Sequence, residues 1–164
     1  MPRLGFFSVT SLVGEWERRE ISDLMTQGNI TYQLVDRFDL SAGFHVTPQT
    51  GFKPSAGFIY SYADPDWLVV INPRADLISG GSIEGMTLLE YKPRINENLR
   101  FYSRLQGLYG FSPRSGNHSR SYLNVRAGLN YLEFTFGAGA NIDYYGPARR
   151  NENNVGVFFT VYLH

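Results

Sequence analysis

Hydrophobic and polar positions alternate along most of this chain with a period of two. Phe38, Leu40, Ala42, Phe44 and Val46 alternate with Asp39, Ser41, Gly43, His45 and Thr47. Successive side chains of a strand point to opposite faces, so this spacing predicts a strand with one apolar and one polar side. The pattern returns at Leu99, Phe101, Ser103, Leu105, Gly107, Tyr109 and Phe111, and at Leu123, Val125, Ala127, Leu129 and Tyr131. It is clearest at Leu132, Phe134, Phe136, Ala138, Ala140, Ile142 and Tyr144, against Glu133, Thr135, Gly137, Gly139, Asn141 and Asp143. Ile83, Gly85, Thr87, Leu89 and Tyr91 form a further face, and Val155, Val157, Phe159, Val161 and Leu163 form the last. None of these apolar faces carries an Asp, Glu, Lys or Arg; every charge in the six strands falls on the other side.

Alternation alone does not say which face looks outward. Two features favour the apolar one. Its runs end in aromatics, with Tyr91, Tyr109, Phe111, Tyr131 and Tyr144 near strand ends, as amphipathic rings do where a barrel surface meets the headgroup level. The runs are also roughly 9 to 14 residues long, beyond the five or six usual in soluble sheets and suited to a tilted crossing of a hydrocarbon core.

Breaks in the pattern divide the chain into about ten strands, at 4–16, 28–35, 38–47, 55–63, 66–78, 82–92, 98–112, 120–130, 133–145 and 155–163. Tight links are expected near residues 35–37, 63–66, 94–97 and 130–133. Longer polar links are expected at 17–28, 47–55, 112–120 and 146–154, with a short Gly-rich one near Ser79-Gly80-Gly81. Long and short links then alternate, as in an outer-membrane barrel. The expected fold is all-β, an antiparallel up-and-down transmembrane β-barrel occupying residues 1–164 as one domain. Two places resist: Pro73 removes a ladder donor inside the fifth strand, and the first strand alternates poorly.

Composition narrows the function. The chain has 164 residues, with 15 basic residues against 15 acidic ones and no cysteine. Zero formal charge argues against nucleic-acid binding, which needs a cationic surplus. Without cysteine there are no disulfides, thiolate metal sites or thiol nucleophiles. No apolar run is long enough for a membrane-crossing helix, and Met1-Pro2-Arg3 does not open a signal peptide. A leader is therefore expected to have been removed.

The hairpin from Tyr32 to Gly43, with Val35-Asp36-Arg37 at its turn, and the stretch Phe134-Thr135-Phe136-Gly137-Ala138-Gly139-Ala140-Asn141-Ile142-Asp143-Tyr144-Tyr145-Gly146-Pro147 resemble small outer-membrane β-barrels of Gram-negative bacteria, especially the Bacteroidetes type. The resemblance covers nearly the whole chain and is architectural, so it implies fold and an outer-membrane location rather than an activity. Such barrels commonly end in an aromatic residue, whereas this sequence ends in His164.

Function has to be argued from the lumen, since a ten-stranded barrel has a backbone radius of roughly 10 Å that inward side chains can largely fill. The inward charges expected are Arg74, Lys92, Arg100, Arg104 and Arg126 against Asp39, Asp76, Glu84, Glu90, Glu133 and Asp143. A pore selecting one ion sign would show a ring of one charge; a balanced set predicts mutual pairing. The expected function is a structural or accessory barrel whose lumen is plugged by an ion-pair network of Arg74, Glu84, Glu90, Arg100, Arg104, Arg126, Glu133 and Asp143. The lipid-facing set is Phe101, Leu105, Leu123, Val125, Phe134, Phe136, Val157, Phe159 and Val161. A passive narrow pore for water or small solutes is one alternative. A soluble lipocalin-like barrel, with its apolar face turned inward around a hydrophobic ligand, is another.

An enzyme is not expected. A lipid-modifying barrel would need a His beside a Ser or an acid, and His45, an inward residue near a strand end, is the one candidate. His118 reads as a solvated loop residue and His164 is terminal. No His, Asp or Glu spacing suits a metal, and no cofactor is expected. The Gly137-Ala138-Gly139 run is not followed by a helix, so it reads as room for large inward neighbours. Arg114, Arg120, Arg149 and Arg150 are placed in loops, where they can meet lipopolysaccharide phosphates. The expected partners are outer-membrane lipid, lipopolysaccharide and a larger outer-membrane complex.

Overall fold

In the computed structural model, which describes residues 3–15, 20–48 and 51–161, ten strands follow one another. They are β1 (Leu4–Glu15), β2 (Glu20–Val35), β3 (Phe38–Thr47), β4 (Gly51–Ala63), β5 (Trp67–Asp76), β6 (Ile83–Tyr91), β7 (Leu99–Phe111), β8 (His118–Tyr131), β9 (Phe134–Tyr145) and β10 (Arg150–Val161). Each strand pairs antiparallel with its neighbour in the chain, giving one up-and-down sheet in the order β1 to β10. Among the described residues no ladder joins β1 to β10, and both edges are open: Phe6 is 76% and Val157 91% exposed.

The sheet is curled. The Arg74 side chain on β5 reaches Gln27 on β2 at 2.8 Å, and the ring of Tyr102 on β7 lies 5.6 Å from that of Phe158 on β10. What lines the concave side is polar. Ser41, His45, Ser55, Glu90, Thr135 and Asp143 are buried there, with Tyr102 and Leu88 among them. The convex side carries the apolar set, and all nine of the expected outward residues, from Phe101 to Val161, are exposed. A soluble lipocalin-like barrel needs the opposite arrangement, so that alternative loses its basis. Ring pairs stack across neighbouring strands: Phe44 with Phe52, Trp67 with Tyr91, and Phe134 with Phe159.

Several strands run further than alternation indicates. β2 begins at Glu20 rather than 28, β4 at Gly51 rather than 55, and β10 at Arg150 rather than 155. Backbone ladders continue under side chains of any polarity, so Asn151 to Asn154 pair with Tyr144 to Asn141 although none of those four β10 residues is apolar. The long links shrink accordingly, and the expected alternation of long and short links is not kept. Among the described links, residues 92–98 form the longest, on the side expected to hold tight turns. The tight turns at residues 36–37 and 132–133 each place one residue in the left-handed region, Arg37 at φ 64° and Leu132 at φ 53°. The expected strand end at residues 162 and 163, and His164, lie outside the described residues.

Pro73 stays within β5. The β5–β6 ladder runs through it opposite Gly85, but the β4–β5 ladder skips the two positions between Gly57–Arg74 and Tyr60–Ile71. The cost of the missing N–H therefore falls on one side only. Opposite that gap the backbones crowd, and a Cβ on Gly57 would run into the Pro73 carbonyl.

Candidate functional site on the inner face

The inner-face charges gather in separate clusters rather than one network. On β5 and β6, Arg74 donates through Nη2 to Glu84 Oε2 at 2.6 Å and through Nε at 3.0 Å, with Nη1 on Gln27. Both N–H groups converge on that single oxygen, so one edge of the guanidinium is anchored on one point of the carboxylate. A second cluster centres on Glu90, which takes Lys92 at 2.8 Å, the Tyr102 hydroxyl at 3.1 Å and Arg104 at 3.9 Å. Arg104 also donates to Gln106, whose amide donates to the Tyr122 hydroxyl. In the third, Asp143 accepts two bonds from Arg120, at 2.7 and 3.3 Å, and one from the Tyr145 hydroxyl at 2.9 Å. Asp76 gathers Lys53 at 3.5 Å and His45 at 3.8 Å.

The expected set is thus only partly brought together. Arg74, Glu84, Glu90, Arg104 and Asp143 are paired. Arg100 leaves the inner face for the turn end, bonding the Pro65 carbonyl at 2.6 Å and Asp66 at 3.2 Å. Glu133 is not an inner-face residue at all: it occupies the exposed turn before β9, because that strand begins one residue later than alternation suggests. Arg126 does face inward, where its guanidinium lies over the Phe158 ring, 5.4 Å from the centroid.

Two residues move between sequence and structure. Arg120, expected in a loop, is an inner-face residue on β8 that stacks over the Tyr145 ring at 4.6 Å. It shares parity with Tyr122, Asn124 and Arg126, so extending the alternation by one step would have found it. His118, expected in solvent, is 8% exposed at the start of β8. Its Nδ1 bonds the Gly146 carbonyl at 2.8 Å, which places the proton on Nδ1 and leaves Nε2 to accept from the Ser121 hydroxyl at 2.9 Å. That ring ties two links together. His45, the enzyme candidate, is buried as expected, but no Ser or Thr hydroxyl bonds it among the described residues; its Nδ1 and Asp76 Oδ1 face each other without a hydrogen bond.

A recess of about 130 Å³ opens in the wall formed by β8, β9 and β10. Asn124, Asn141 and Asn154 lie side by side across the three strands, and Arg126, Gly139 and Gly156 form the next row. Phe158 closes the far side. Among the described residues no group of His, Asp and Glu is placed to hold a metal ion.

No protein-family model matches the chain, and no curated protein matches it. Among solved structures, the crystal structure of OccAB3 from Acinetobacter baumannii is similar, with a TM-score of 0.52 at 12% identity. The match covers 81% of this chain and 39% of OccAB3, so the chain corresponds to well under half of that protein. OccAB3 is a β-barrel, and the likeness is one of fold.

Proposed function

We propose that this protein is an outer-membrane β-barrel with a structural or accessory role, its lumen narrowed by paired charges, and that it is not an enzyme. One observation carries the reading. The sheet is inverted relative to a water-soluble one, with its polar side chains turned into the curl and its large apolar side chains turned out. Monomeric soluble proteins rarely expose apolar surface on this scale, whereas a lipid-facing barrel wall requires it. The fold likeness to a porin-like outer-membrane barrel supports the same location. Outer-membrane lipid is then the main partner. Arg114 and Arg149, exposed in the links, and Arg150, exposed at the first position of β10 rather than in a loop, would meet lipopolysaccharide phosphates, and a larger outer-membrane complex would give the barrel its accessory task.

Fractionation tests this directly. The protein should be recovered with outer membranes and run as a compact band that shifts on boiling; recovery as a detergent-free monomer would overturn the reading. A passive narrow pore is the second reading, favoured by the recess beside Arg126. It requires single-channel steps in planar bilayers, where a plugged barrel gives none.

A further inference from the structure

We propose that the wall of β8, β9 and β10 holds a binding site for a small oxyanion, centred on Arg126. Among the described residues the other guanidinium groups that stay on the inner face are matched: Arg74 by Glu84, Arg104 by Glu90 and Arg120 by Asp143. Arg126 alone among these has no carboxylate. Its guanidinium carbon lies over the Phe158 ring, 5.4 Å from the centroid, and an aromatic ring supplies no oxygen to match its five N–H donors. No acidic side chain lines the recess beside it. What lines it instead are the amides of Asn124, Asn141 and Asn154, of which the first two are linked at 3.4 Å.

The glycines make the space. A Cβ at Gly139 would come within 3.2 Å of the Arg126 side chain, so a larger residue would displace its stem. At Gly156 a Cβ would meet nothing within 4 Å, which leaves that side of the recess empty. A volume of about 130 Å³ is that of about four water molecules in the liquid, enough for an anion with one or two waters. A fork of N–H donors flanked by amides, with no competing carboxylate, selects a planar or tetrahedral oxyanion over a cation or an apolar solute. The two sources of that chemistry are inorganic phosphate and a small carboxylate. The site does not depend on the membrane reading, because a curled sheet in any setting keeps this wall.

The test uses the full chain folded in detergent micelles, with inorganic phosphate as the probe and binding followed by equilibrium dialysis. Saturable uptake that chloride at equal ionic strength does not reproduce is expected. Competition by acetate identifies carboxylate as the preferred source, and failure of acetate to compete identifies phosphate. R126Q should weaken binding at least tenfold, and R126K, which keeps the charge but not the fork, several-fold. G156L places a side chain in the recess and leaves Arg126 untouched, so it should abolish uptake even if R126Q does not fold. Absence of saturable uptake, equal displacement by chloride, or unchanged binding in G156L would overturn the proposal.

Discussion

Glu84 shows what an inner-face carboxylate does for its neighbours. Its side chain is 14% exposed, and it takes two bonds from one guanidinium. Removing it leaves Arg74 with Gln27 as its only hydrogen-bond partner among the described residues, and a stranded, poorly hydrated cation costs more than the pair itself contributed. E84A should therefore lower unfolding free energy by about 2–3 kcal/mol, read from urea titration in detergent or lipid. Asp64 presents the opposite situation, in solvent at the β4–β5 turn. It accepts the Tyr62 hydroxyl at 2.6 Å and the N–H groups of Asp66 and Trp67 at 2.8 and 2.7 Å. The Tyr62 hydroxyl first, then the two N–H groups, hold its carboxyl below the usual range. A lowered folded-state value means the turn's contribution is complete above the unfolded carboxyl range near pH 4 and disappears as pH falls through the folded value. Stability measured between about pH 5 and pH 2 should lose this component, and D64N should flatten that part of the profile. At this scale the sequence was legible wherever alternation was strict, which is how Arg74, Glu84, Glu90, Arg104 and Asp143 could be placed on one face. It misled at Glu133, where a turn replaces the last alternating step, and at His118, whose ring is held by a carbonyl just past the end of the neighbouring strand rather than by any local pattern.

Strands reveal a different limit. Their number and order follow from period-two runs and turn residues, but their ends do not, because ladder bonds belong to the backbone and ignore the change from Val155 to Asn154. The long polar links at 47–55, 112–120 and 146–154 were overestimated for the same reason. Gly137 and Gly139 of β9 read from the sequence as room for large inward side chains, but at Gly137 the nearest neighbour is backbone. Gly128 and Gly137 sit opposite each other, and a Cβ at either would strike the carbonyl oxygen of the facing strand, Phe136 or Ala127. Two inward positions without side chains let the sheet bend sharply there. G137V should accordingly destabilise the protein by about 2 kcal/mol or more, whereas A138V, one position along on the outer face, should change little. Chemical denaturation of the pair separates bending from general loss of strand quality.

For the molecule as a whole, the inversion of polarity supplies the decisive comparison. Leu105, Val125, Ala140 and Val155 form one continuous outer row across β7 to β10. If that row lies in hydrocarbon, V125R should cost about 2–4 kcal/mol at mid-membrane depth; in water the same change would be close to neutral. Unfolding in lipid vesicles of defined thickness gives the answer, and thinner bilayers should reduce the penalty.

The nearest-neighbour order of the strands also has a kinetic meaning. Each ladder joins segments that are consecutive in the chain, so hairpins can form and extend with short loop closures from many starting points. If β1 and β10, the open edges of the sheet among the described residues, meet to close a barrel, that seam alone brings distant segments together. Closing a loop of that length costs about 4 kcal/mol of chain entropy, against a fraction of that for a hairpin. Assembly is then expected in two regimes, a fast zippering of adjacent strands and a slow final meeting of the edges, and during that interval the chain carries two unsatisfied rows of amide groups that a membrane interface, rather than its interior, can keep hydrated.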